Sequence, residues 1–139
     1  MTEEKVFINS VDLRILVSEQ LGPYCGTAFT LYVADGEYYC PPLSDVLTVM
    51  ETAKVDQDEY IAEAHDCDDF ARLLVAAFIK DAYREGKRRP AYCFGLICTT
   101  GHAFNFFVDD SLAVRLVEPQ TSKVSAISTI KDAVSFMLV

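Results

Sequence analysis

Half of the 139 residues are hydrophobic (51%), so the chain can bury a core and is not a disordered segment. Its net charge of −9 argues against nucleic acid and against anionic membranes as partners, because both demand clustered Lys and Arg. At this length one domain over residues 1–139 is the natural reading.

The five cysteines, Cys25, Cys40, Cys67, Cys93 and Cys98, form no CxxC pair. No apolar leader follows Met1-Thr2-Glu3-Glu4-Lys5. An odd thiol count without export suggests reduced cysteines in a cytoplasmic protein. No apolar stretch approaches the ~18–20 residues of a membrane span.

In chain order, Ser10 can cap a helix from Val11 to about Leu21, with Val11, Ile15, Leu16 and Val17 as its apolar side and Gly22-Pro23 as its stop. A strand beginning at Val6 competes with its start. Residues 23–29 read as loop. Asp35-Gly36, between Leu31-Tyr32-Val33 and Tyr38-Tyr39-Cys40, predicts a hairpin. Pro41-Pro42 opens a helix with Leu43, Val46, Leu47 and Met50 at helical spacing. Residues 55–64 are acidic.

The run Phe70–Ala82 is nearly all apolar and predicts a helix buried on most of its circumference, ended by Gly86 to Pro90. Asp66 is its natural N-cap, and Asp68 and Asp69 suit the positive end of its dipole. The basic cluster Lys87-Arg88-Arg89 reads as a solvated loop. Strands then follow over Ala91–Thr99, His102–Val108 and Leu112–Glu118, with turns at Thr100-Gly101 and Asp109-Asp110-Ser111. Pro119 stops the last. Residues 124–139 form a strand and then a short helix or another strand. Helices first and an antiparallel meander second predict an α+β architecture.

Cys67 falls in the first turn of the central helix, where the helix dipole favours a thiolate. A turn centred near Asp110 makes His102 and Glu118 antiparallel neighbours. Together these residues suggest a nucleophile, a general base and an orienting carboxylate. The oxyanion would rest on backbone N–H groups at the helix start, with Gln57 as the candidate side-chain donor. Gln120, just after Glu118, is a second candidate at the substrate.

Asp66-Cys67-Asp68-Asp69-Phe70-Ala71, Gly101-His102-Ala103-Phe104-Asn105 and Val117-Glu118-Pro119-Gln120-Thr121 resemble motifs of the papain-like and transglutaminase-like cysteine peptidases. The likeness is closest to the group of the peptidase domain of the Marasmius oreades agglutinin and its bacterial and phage relatives. It covers roughly residues 35–121. There are departures: papain's Gly-Ser-Cys-Trp motif and its Asn as third member are absent, Ile61 lies six residues before Cys67 where an upstream Gln would be expected, and the agglutinin's sugar-binding repeats are absent, so its lectin activity is not implied.

The resemblance implies a papain-like fold, with a central buried helix carrying Cys67 at its N-terminus, packed on an antiparallel sheet carrying His102 and Glu118. It implies a cysteine peptidase that hydrolyses a peptide or isopeptide amide through a thioester on Cys67, with a peptide or protein as partner. The alternatives are a catalytically silent binding or inhibitory protein on the same fold and a transglutaminase-type acyltransferase. No cofactor is required by the residues themselves. The agglutinin peptidase is calcium-dependent, and Asp66, Asp68, Asp69, Asp109 and Asp110 offer oxygens for a hard cation, but capping and turn roles explain them as well, so no metal ligand is assigned.

Overall fold

The computed structural model describes residues 4–84 and 90–139, which leaves Gly86 and the Lys87-Arg88-Arg89 cluster outside the described residues. Strand β1 (Val6–Asn9) runs directly into helix α1 (Ser10–Leu21). The cap is Asn9 rather than Ser10: its side chain accepts the Asp12 N–H at 2.8 Å. The buried stripe is Leu13, Val17 and Leu21, spaced by four, while Val11 and Ile15 stay exposed. The predicted apolar side was therefore displaced around the helix.

Strand β2 (Cys25–Tyr32) begins inside the loop expected over residues 23–29 and runs into the strand expected at Leu31-Tyr32. Its register shifts between Cys25 and Thr30, and among the described residues its one neighbour in the sheet is strand β8 (Val134–Leu138), to which it pairs in parallel. An edge strand of that kind, carrying Gly26-Thr27-Ala28, has little apolar alternation to announce it.

The predicted Asp35-Gly36 hairpin does not form. The chain instead leaves one sheet for another, and strand β3 (Glu37–Cys40) pairs with β1. Tyr38 holds that bend, its hydroxyl accepting the Asp35 N–H and donating to the Val139 carbonyl, each at 2.8 Å.

Helix α2 (Leu43–Ala53) follows Pro42 as expected. Helix α3 (Cys67–Arg84) buries Phe70, Ala71, Leu74 and Phe78. Leu73, Ile79 and Tyr83 are exposed, so α3 buries one stripe and not most of its circumference. Among the described residues no helix is long and apolar enough to cross a membrane.

The remaining strands are β4 (Phe94–Thr99), β5 (His102–Val108), β6 (Val114–Glu118), β7 (Lys123–Ala126) and β8. They build a six-stranded sheet in the order β2-β8-β4-β5-β6-β7. The sheet is mixed, because β2 and β8 are parallel while the other pairs are antiparallel. The expectation of a purely antiparallel sheet is corrected accordingly. A long connection is what permits a parallel pair, and residues 33–133 lie between β2 and β8.

Both faces of the sheet are covered. Leu13, Val17 and Leu21 of α1 pack with Ile97, Phe106, Val108, Leu116 and Met137. On the other face α2 and α3 pack with Phe94, Phe107 and Val117 through Val46, Met50, Phe70, Leu74 and Phe78. Period-2 alternation thus divides β5 between two cores.

Candidate functional site

The β4–β5 turn passes through Gly101 at φ +81°, a conformation natural to glycine, and delivers His102 opposite Thr99. The β5–β6 turn is braced by Asp109. Its carboxylate accepts the Ser111 N–H at 2.9 Å, the Ser111 hydroxyl at 2.6 Å, the Ala113 N–H at 3.0 Å and Arg115 Nε at 3.0 Å. Burial alone would raise the Asp109 pKa, but these donors outweigh it and hold the carboxyl below its ordinary value.

The braced turn sets the register Asn105↔Val117 through Val108↔Val114. The centre falls one residue beyond Asp110. Extended along the strands, this register puts Glu118 opposite Phe104, so His102 and Glu118 are diagonal neighbours on one face and not directly paired. They still meet, with His102 Nε2 at 2.8 Å from Glu118 Oε2. The other carboxylate oxygen, Oε1, accepts the Gln120 backbone N–H at 3.2 Å. Gln120 therefore acts through its main chain, positioning Glu118. The His102 ring also stacks on Phe104, with centroids 5.5 Å apart and planes 23° apart.

His102, Phe104 and Glu118 line an open cleft of about 230 Å³ on the α1 side of the sheet, together with Thr99, Ser125, Thr129, Lys131 and Asp132. Ser125 Oγ and Thr129 Oγ1 lie 3.3 Å apart, and the Thr129 hydroxyl donates to the Ala126 carbonyl at 2.7 Å. The far wall comes from residues 127–132, the stretch whose structure the sequence left undecided; the Ser125/Thr129 spacing was its only signal.

Cys67 lies elsewhere. It is half-buried at the first residue of α3, and α3 packs on the opposite face of the sheet, where Asn105 Nδ2 donates to the Ala71 carbonyl at 2.9 Å and to the Gly95 carbonyl at 3.1 Å. On that face Cys67 neighbours Cys98, whose thiol is pushed up by burial and then by electrostatic interaction with Cys67 and Asp68. The structure thus brings His102 and Glu118 together, while Cys67 is not among the residues lining their cleft. Gln57 sits on the exposed surface at the end of the 3-10 turn Val55–Gln57. His65 pairs with Asp58 at 3.1 Å and stacks on Phe70.

At the α3 start, Asp69 accepts the Asp66 N–H at 3.2 Å, the returning half of a capping box. The carboxylates of Asp66, Asp68 and Asp69 lie within 4.8 Å of one another. Hydrogen bonding and charge from Asp68, with burial and then Asp69 adding to them, push the Asp66 carboxyl up to about 6. Three carboxylates at this spacing are a hard-cation donor set, and helix capping accounts for the same geometry.

A solved complex of PSL1a with E64 has a TM-score of 0.89 to this chain at 23% identity, covering 99% of this chain and 52% of that one. The Polyporus squamosus lectin, solved with a human-type influenza-binding epitope, Neu5Aca2-6Galb1-4GlcNAc, gives a TM-score of 0.84 at 24% identity, covering 99% and 51%. The chain therefore spans about half the length of these structures, which establish its fold. No curated protein matches the chain.

A family model described as the ricin-type beta-trefoil lectin C-terminal domain matches residues 14–138. This match and the lectin-like neighbours overturn the resemblance to papain-like and transglutaminase-like peptidases, and with it the papain-like fold, the cysteine peptidase activity and the peptide substrate. Cys67, His102 and Glu118 stand in a suggestive order along the chain, but only His102 and Glu118 are among the residues that line the cleft. The chain belongs to the ricin-type beta-trefoil lectin C-terminal domain family.

Proposed function

We propose that this domain is a binding module that holds a glycan in the His102–Glu118 cleft and performs no covalent chemistry there. The observation that carries this reading is the fixed His102–Glu118 pair beside the Phe104 ring, in an open cleft rimmed by the hydroxyls of Thr99, Ser125 and Thr129. A sugar needs paired donors and acceptors for its hydroxyls and a flat apolar surface for its C–H face. Glu118 supplies acceptors, the His102 ring and the Ser125 hydroxyl supply either role, the Thr99 and Thr129 hydroxyls, which already donate to backbone carbonyls, supply acceptors, and Phe104 supplies the surface. The sialylated trisaccharide held by the Polyporus squamosus lectin supports the same class of ligand.

The test is calorimetric titration of the purified chain with neutral and sialylated oligosaccharides, repeated on Glu118→Gln and His102→Ala. Losing a hydrogen bond to a charged group costs about 1.5–3 kcal/mol, so binding should weaken roughly 10- to 100-fold. The reading fails if no glycan binds, if both variants bind as the parent does, or if Cys67 alone is alkylated well below pH 8 in a manner that His102→Ala abolishes.

A further inference from the structure

Cys40 ends β3, and Cys93 lies just ahead of β4. Tyr39 and Tyr92 form a parallel bridge there, with the Tyr39 N–H bonded to the Ala91 carbonyl at 2.9 Å and the Cys93 N–H bonded to the Tyr39 carbonyl at 2.7 Å. The next residue along each segment is a cysteine, so Cys40 and Cys93 are lateral neighbours. Both are fully buried, and both turn into the core on the α1 side, whereas Tyr39 and Tyr92 turn into the other. Adjacent strands lie roughly 4.8 Å apart, inside the ~4.4–6.8 Å window of Cα separations that a disulfide accepts. The Cys93 thiol is held well above its ordinary pKa, first by its hydrogen bond with Cys40 and then by burial. Both cysteines are free thiols in this structure.

We propose that Cys40 and Cys93 are a disulfide-forming pair whose cross-link ties the small β1–β3 sheet to the main sheet beside β4. The co-reactant is a low-molecular-weight disulfide. One cysteine thiolate attacks it, forming a mixed disulfide and releasing one small thiol. The second cysteine then attacks the protein sulfur of that mixed disulfide and releases the other. The two cysteines lose two electrons and two protons, and the small disulfide gains both as two thiols. Because both sulfurs are shielded in the native fold, exchange proceeds while the chain folds or while β3 is detached.

The chain is refolded by dilution from urea with excess oxidised glutathione, alkylated under denaturing conditions and mapped by mass spectrometry without reduction. The expected product has lost two hydrogens, contains a Cys40–Cys93 peptide pair and leaves Cys25, Cys67 and Cys98 alkylated. Its thermal midpoint rises above that of the reduced chain and returns with dithiothreitol. Cys93→Ser shows neither the link nor the rise. The proposal is overturned if all five cysteines alkylate, if Cys40 and Cys93 carry glutathione or join other cysteines, or if the link forms with loss of the native circular dichroism spectrum.

Discussion

His102 Nε2 and Glu118 Oε2 lie 2.8 Å apart although the two residues are diagonal and not opposite in the β5–β6 ladder. The pair is set from three sides: the Gly101 turn places the imidazole, the Gln120 N–H fixes the other carboxylate oxygen, and Phe104 supports the ring. Both side chains remain about a third exposed, at 39% and 32%, so solvent screens their attraction. Glu118→Gln is therefore expected to change unfolding free energy by less than about 1 kcal/mol, as read by urea denaturation. A large destabilisation would make the pair a structural element and not a ligand-facing one.

Asn105 is fully buried and joins the two layers, one side-chain nitrogen serving a carbonyl of α3 and a carbonyl of β4. Asn105→Ala should cost about 1–3 kcal/mol in urea denaturation, because two buried acceptors lose a donor. Asn105→Asp should cost more, since a carboxylate would face two carbonyl oxygens.

The Asp109 brace gives a pH dependence of definite sign. Its carboxyl is depressed in the fold, so the stabilisation is fully present above the unfolded value of about 3.9 and is lost as pH falls through the lower folded value. Asp109→Asn should remove this acid-sensitive part and destabilise the chain near neutrality by about 2 kcal/mol. Denaturant midpoints between acidic and neutral pH check both. Asp66 has the opposite sign: raised to about 6, it favours the protonated fold, so its contribution weakens as pH climbs from the unfolded value through 6. A carbon-detected NMR titration should place the Asp66 midpoint near 6.

Gly95 shows how closely β8 approaches β4. A Cβ there would press on the Leu138 carbonyl and sit 2.8 Å from Phe106 Cε1. Gly95→Ala should therefore destabilise by about 3 kcal/mol, the upper range for overpacking. A thermal midpoint equal to the parent's would show that β8 can move aside.

Local chemistry was legible wherever a residue's role depends on near neighbours. Pro42 before α2, the Asp69 carboxylate at the start of α3 and the Gly101 turn could all be read from the chain. What could not be read depended on distant partners. The strand beginning at Cys25 exists because residues 134–138 lie beside it, and Asp35-Gly36 fails as a hairpin because residues 37–40 pair with β1 instead of with the strand before the turn. The same limit governed the site. His102 and Glu118 could be joined by counting from a turn, whereas the side of the sheet occupied by α3 could not. Sixteen residues of local order predicted the pair; the cleft wall from residues 129–132 depended on the topology of the whole chain.

The position of β8 also has a consequence for how the molecule comes into being. Residues 134–138 fill the slot between β2 and β4, so the sheet stays interrupted until they have emerged from the ribosome. Until then β4 presents an open hydrogen-bonding edge, β2 has nothing to dock on, and Gly95 faces an empty groove. Synthesis therefore passes through a stage in which most of the apolar core has been made and cannot yet close, which is when a holdase chaperone would matter most to this chain.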